Sequence, residues 1–109
     1  LTALTQLDLC GNALASLPDE LCELPQLSKL HLADNALVTL PPAISRLTQL
    51  EELWLYRNRL DFLPAELAKL TRLTASERLG IDGNRLMAIP PSVLSSAKEV
   101  LRYLEELAK

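Results

Sequence analysis

The sequence predicts an α/β solenoid, in which short parallel strands line a concave face and helical or 3₁₀ turns form the convex face. Three observations indicate this fold class. Asparagines recur at positions 12, 35, 58 and 84, a spacing of 23, 23 and 26 residues. Leucine or isoleucine fills nearly every apolar position between them, and "LP" or "IP" follows each asparagine at the same distance.

Each repeat divides into two halves with different periodicity. In "LTQLDL", residues 4–9, apolar and polar residues alternate, as a strand with one buried face requires. The second half, "LPxxLxxL", places apolar residues three apart after a proline, which suits one turn of α- or 3₁₀-helix. One repeat cannot bury its own leucines, so neighbouring repeats must stack.

The whole repeat has the pattern LxxLxLxxNxLxxLPxxLxxL and covers residues 1–94. It resembles the leucine-rich repeat in its 23-residue form, as in intracellular proteins of the Ras-suppressor, Scribble and Roco types. The resemblance implies a cytoplasmic scaffold or signalling module whose concave face holds another protein. The fourth repeat departs from the pattern by three extra residues, Ala75 to Glu77. We expect these to form a tolerated loop insertion or, alternatively, a functional bulge at the rim.

The repeat asparagines lie where the chain turns away from each strand. At that position an amide side chain can form hydrogen bonds with backbone groups of the adjacent turns. The sequence therefore predicts a structural Asn ladder inside the coil, without a binding role, at Asn12, Asn35, Asn58 and Asn84.

Alignment of the repeats also predicts which side chains share a column on the concave face. Those are the outward positions of each strand, between the buried leucines. The columns are Gln6, Lys29, Glu52 and Arg78; Asp8, His31, Trp54 and Gly80; Cys10, Ala33, Tyr56 and Asp82; and, at the rim, Gly11, Asp34, Arg57 and Gly83.

Two large rings in "EELWLYRNRL", residues 51–60, are the candidate binding residues. Trp54 and Tyr56 alternate with Leu53 and Leu55, so the rings should point out of the core. Such a pair is typical of an interface hot spot, although the rings could instead pack on neighbouring strands and shield the sheet. Phe62 is expected to pack in the following turn. The predicted protein-binding residues are Trp54, Tyr56, His31 and Arg57 as anchors, and Lys29, Glu52, Asp8, Asp34 and Asp82 for charge complementarity.

The sequence predicts different structures at the two ends of the chain. Leu1 and Leu4 match the junction between repeats, so we expect the four repeats to be a fragment of a longer solenoid. Residues 95–109 have helical spacing of apolar residues and should form an amphipathic helix that caps the last repeat. This tail also resembles the segment that closes the repeats in Roco-type proteins. The alternative function is therefore a targeting or regulatory segment of a larger signalling enzyme, such as a Roco-type GTPase or kinase or a phosphatase.

Composition and motifs argue against several other classes of function. The net charge is −3 with interspersed signs, which gives no basic patch for nucleic acid, and no apolar run is long enough to insert into a membrane. Cys10 and Cys22 fall on opposite sides of a repeat, which is incompatible with a disulfide and favours a reducing, cytoplasmic compartment. His31 is the only histidine and glycine occurs only three times. We therefore expect no metal site, cofactor, small-molecule substrate or catalytic site in this chain.

Overall fold

Four short strands, four 3₁₀ turns and two α-helices make up the fold of residues 4–107. The computed structural model of the protein describes residues 4–107, so the predicted role of Leu1 and the end of the predicted 95–109 helix lie outside the described residues. The strands are β1 (Gln6–Asp8), β2 (Lys29–His31), β3 (Glu52–Trp54) and β4 (Arg78–Gly80); the 3₁₀ turns are Asp19–Glu23, Pro42–Arg46, Ala65–Lys69 and Pro91–Ser95; the helices are α1 (Thr71–Ser76) and α2 (Ala97–Leu107).

The strands form one parallel sheet in the order β1-β2-β3-β4, which confirms the predicted solenoid class. Parallel neighbours need a crossover between them, and each crossover here runs through a convex turn. Leu7, Leu30, Leu53 and Leu79 lie in one register row that faces the core. Leu30 and Leu53 have no exposed surface, whereas the residues on either side of them are half-buried or exposed.

A proline precedes every 3₁₀ turn and sets its entry direction. Pro18, Pro41, Pro64 and Pro90 stand immediately before the four turns with φ between −57° and −70°. Proline holds φ near −65°, so the chain is already directed for the turn that follows. In the first three turns one residue of the turn is buried against the sheet: Cys22, Ile44 and Leu67. Burial raises the pKa of the Cys22 thiol, which here fills a leucine position.

The three extra residues of the fourth repeat are part of a short helix and its end, rather than an open loop. Ala75 and Ser76 complete α1, and Glu77 ends it in the left-handed conformation at φ 58°. The Ser76 hydroxyl donates a hydrogen bond of 2.5 Å to the Glu51 carbonyl oxygen. The strand register is kept, because Arg78 of β4 still pairs with Glu52 of β3.

Helix α2 covers the C-terminal end of the core. Ser96 caps it, since its Oγ accepts a hydrogen bond of 3.2 Å from the backbone N–H of Glu99. Val100, Leu101 and Leu104 are buried, and the helix packs on the third and fourth convex turns. Leu107, which has the same helical spacing in the sequence, is instead 58% exposed.

The side chain of each inner asparagine binds two repeats together. Asn58 Nδ2 donates to the carbonyl oxygens of Leu32 in the preceding repeat (2.9 Å) and Leu55 in its own (3.1 Å). Its Oδ1 accepts a hydrogen bond of 3.1 Å from the backbone N–H of Leu37. Asn35 has the same arrangement with the first repeat. Since Asn58 is only 6% exposed, these bonds satisfy backbone groups that water reaches poorly.

The residue before each ladder asparagine adopts a left-handed conformation. Glycine occupies this position in the first and fourth repeats, at φ 72° and 84°. Asp34 and Arg57 occupy it in the second and third repeats, at φ 58° and 54°. A residue with a Cβ is disfavoured there by roughly 1–2 kcal/mol, so the packing of the repeats imposes the conformation on these two residues.

Asn58→Ala should lower the free energy of unfolding by about 3 kcal/mol or more. The change leaves several backbone groups unpaired at ~1–3 kcal/mol each. Urea unfolding measures the effect. The matched control is Asn12→Ala in the first repeat, where the side chain is exposed and water can replace its hydrogen bonds; we expect a loss below about 1 kcal/mol. Equal losses for the two variants would show that the inner ladder does not support the fold.

Arg57→Gly should be more stable than Arg57→Ala by about 0.5–1 kcal/mol, because only glycine adopts a positive φ without cost. Both variants lose the arginine side chain equally, so the difference in their free energies of unfolding measures the backbone alone. Arg102, exposed on α2, supplies the control: there alanine should be the more stable of the two by about 1 kcal/mol. If the alanine variant were the more stable one at position 57 as well as at position 102, backbone strain at Arg57 would be refuted.

Candidate functional site

Trp54 is the centre of the concave face. It projects outward from the end of β3, while Leu53 and Leu55 on either side have no exposed surface. Its ring stacks on the imidazole of His31 in β2, with 3.8 Å between ring centroids and 10° between planes. Even so, 37% of the Trp54 surface remains exposed. The ring is thus held in place on one face and open to solvent elsewhere.

Glu52 supports this stack from within the sheet. Its Oε2 atom lies 2.5 Å from Nε2 of His31, and the two side chains are 13% and 19% exposed. The Arg78 guanidinium lies 4.0 Å from the other carboxylate oxygen. The Glu52 carboxylate therefore already has partners within the chain, and it orients the imidazole beneath Trp54.

Tyr56 extends the aromatic surface toward β4. Its ring centroid lies 6.2 Å from that of Trp54, with a tilt of 56°. The ring lies over Gly80, where an added Cβ would stand 2.2 Å from Tyr56 Cζ. Any side chain at position 80 would therefore displace the ring. Beside it is a cavity of about 170 Å³, lined by Tyr56, Leu79, Gly80, Ile81, Asp82, Leu94, Ser96 and Ala97.

An ion pair forms the rim of the concave face. Arg57 donates from Nε and Nη2 to the two carboxylate oxygens of Asp34, at 2.5 and 2.8 Å. These hydrogen bonds lower the pKa of Asp34 and raise that of Arg57. Both side chains are about half exposed or more, so the pair adds little stability. It shapes the rim and presents both charges to solvent.

The remaining predicted residues lie on either side of the aromatic centre. Asp8, in register with His31, accepts a hydrogen bond of 3.0 Å from the backbone N–H of Cys10. Hydrogen bonds from the side chain and backbone of Cys10 lower the pKa of Asp8. Lys29 is half-buried in β2, and Asp82 is exposed beside the cavity. The structure thus brings His31, Glu52, Trp54 and Tyr56 into one cluster and leaves the other predicted residues around it.

Besides Leu107 on α2, three large apolar residues outside the predicted site are exposed. Val38, Phe62 and Met87 are 51%, 46% and 84% exposed. The expectation that Phe62 packs in its turn is wrong, because nearly half of its surface meets solvent. All three follow a ladder asparagine by three or four residues, between two buried apolar positions. The same repeat alignment that predicts the concave columns could have revealed them.

A metal site and a membrane-spanning helix are both absent from residues 4–107, the part of the chain that the structure describes. In that range no three side chains of the metal-ligating types come close enough to hold an ion. The helices there are also too short or too polar to traverse a lipid bilayer. Cys10 and Cys22 are free thiols, the first exposed and the second buried.

Comparison with known proteins gives the same architecture. The family model for the leucine-rich repeat matches residues 2–60 and again 25–86. No curated protein sequence is significantly similar. The solved structure of a leucine-rich repeat protein from Leptospira interrogans is 37% identical in sequence, with a TM-score of 0.76. The alignment covers 94% of this chain and 24% of that one, so this chain spans about a quarter of its length. With its four stacked repeats, its parallel sheet and its asparagine ladder, this chain belongs to the leucine-rich repeat family.

Proposed function

We propose that this leucine-rich repeat unit is a protein-interaction module that holds a partner on its concave face. The observation that carries the proposal is the exposed aromatic cluster: Trp54 is fixed by stacking on His31, and Tyr56 is seated on Gly80. Rings that already pack on neighbouring residues have less conformational freedom to lose on binding, and tryptophan and tyrosine dominate interface hot spots. Family membership supports the general role, because proteins with this fold commonly bind other proteins.

Charges around the rings would set the orientation of the partner. Asp34 and Arg57 at the rim, Asp8 toward β1 and Asp82 toward α2 are all exposed. Exposed charges at the edge of an interface act mainly on association rate and specificity. Glu52 has a different role in this proposal: it positions His31, and so Trp54, without itself meeting the partner.

The size of the face limits the contact that these four repeats make alone. Strands about 4.8 Å apart and a few residues long give a face of roughly 15 Å by 15 Å. A standard interface buries ~800 Å² on each partner. We therefore propose that the partner also contacts surfaces beyond these strands, in a longer solenoid. An intracellular scaffold or signalling role forms part of the proposal, supported by the two free thiols.

Trp54→Ala should weaken binding of the partner by about 2 kcal/mol or more, or roughly 30-fold in Kd. Its effect on folding should stay below the ~3–5 kcal/mol typical of truncating a fully buried tryptophan, since 37% of the Trp54 surface is already exposed. The measurement is affinity capture with quantitative crosslinking mass spectrometry, comparing the wild-type protein with Trp54→Ala plus Tyr56→Ala.

Leu107→Ala is the matched control for this experiment. It also removes an exposed large apolar side chain, but from the end of α2. A partner that the control retains and the double variant loses would support binding at the concave face. Capture that is equal for all three proteins would overturn the proposal and assign the rings to shielding of the sheet.

A further inference from the structure

A second exposed apolar surface lies on one flank of the solenoid, apart from the concave face. We call it the apolar flank and define it by Val38, Phe62 and Met87, which are 51%, 46% and 84% exposed. They come from three successive repeats, from the segment that leaves the concave face after the ladder asparagine. Single exposed apolar residues are common, but here three adjacent repeats each contribute one to a stripe across them, with Phe62 one position further along its segment than Val38 and Met87.

Backbone hydrogen bonds hold the three segments side by side. Arg59 N–H donates to the Leu37 carbonyl oxygen at 2.8 Å, which joins the second and third repeats. Ala88 N–H donates to the Asp61 carbonyl oxygen at 3.2 Å, which joins the third and fourth. Segments bonded in this way lie about 4.8 Å apart, as neighbouring strands do. Each of the three repeats therefore adds one exposed apolar side chain along the solenoid axis, with Asp61 beside Phe62 in the middle repeat.

Two arginines border the stripe. Arg59 and Arg85 each follow a ladder asparagine directly, and both are exposed. Neither guanidinium forms an ion pair with a carboxylate of residues 4–107. Asp61, which is half-buried, is the one acidic residue of these three segments. The flank is thus locally basic in a chain whose net charge is −3.

We propose that the apolar flank binds an amphipathic helix of a protein partner, with apolar residues along one face and carboxylates along one edge. The pitch of an α-helix is about 5.4 Å, close to the ~4.8 Å step between repeats. A helix parallel to the solenoid axis would place one apolar residue per turn against Val38, Phe62 and Met87 in succession. Its acidic edge would then face Arg59 and Arg85.

Geometry and charge favour this occupant over others. In an extended strand, side chains on one face recur about every 6.6 Å. This spacing is longer than the ~4.8 Å between repeats, so successive side chains of a bound strand would not match successive repeats. A second copy packed symmetrically flank to flank would bring the two arginine pairs close together, at an electrostatic cost. The proposal concerns a surface distinct from the concave face and stands independently of the function proposed for Trp54.

The test uses a fluorescein-labelled helical peptide of about 15 residues, with leucines spaced three and four apart and glutamates along one edge. A second peptide carries lysine in place of every glutamate. Fluorescence anisotropy with the full chain should give a Kd at least about tenfold lower for the glutamate peptide. Phe62→Ser plus Met87→Ser should weaken its binding by about tenfold or more. Arg59→Glu plus Arg85→Glu should reverse the preference between the two peptides.

Trp54→Ala is the control, and it should leave peptide binding unchanged. All five substitutions lie at exposed positions, and circular dichroism verifies that each variant is folded. Equal affinity for the two peptides would overturn the proposal, as would loss of binding in Trp54→Ala with none in the flank variants. Self-association in sedimentation experiments that the flank variants abolish would instead assign the surface to a second copy. Preferential binding to phosphatidylserine vesicles would assign it to a lipid surface.

Discussion

The bonds of each inner asparagine to two successive turns are the constraint on which the rest of this structure depends. A strand that ends in a tight turn leaves backbone groups pointing into the coil, where water does not reach them. Asn35 and Asn58 satisfy these groups in their own repeat and in the one before. The bonds join each inner repeat to the one before it, and a residue in the left-handed conformation precedes each asparagine. The spacing between successive residues of the concave columns, and between those of the apolar flank, is the spacing between the repeats that this ladder joins.

Because the leucines are buried in the core, only the residues between them are available for recognition. Along the sheet and the convex turns, the repeating apolar positions of the inner repeats are almost without exposed surface. Their identity serves packing, and each repeat contributes only a few outward side chains to any surface. Recognition must therefore be built from single residues of several repeats, placed in register by the solenoid. The concave cluster and the apolar flank are two examples of this, on different sides of the same coil.

The side chains of the concave cluster are held by contacts within the chain itself. His31 is fixed by Glu52 and in turn supports Trp54, while the ring of Tyr56 rests on a residue without a side chain. These contacts combine shielding of the sheet with presentation of two rings, which the sequence suggested as alternatives. A tryptophan that is stacked on one face and still open over a third of its surface can do both. Its remaining exposed area is what makes the proposed interface testable.

The sequence by itself determined the repeat, the strand register and the columns of the concave face. These follow from periodicity: alternation within a strand and the return of leucine, asparagine and proline are local properties that a single repeat already displays. Only the tertiary structure decided that Glu52 is held by His31, that Tyr56 covers Gly80, that the insertion extends a helix and that Phe62 is exposed. The first three involve contacts between residues of neighbouring repeats, more than twenty positions apart. The exposure of Phe62 depends on what the fold leaves uncovered. The conformation of a side chain is set by what the adjacent repeat places beside it, and periodicity carries no information about that.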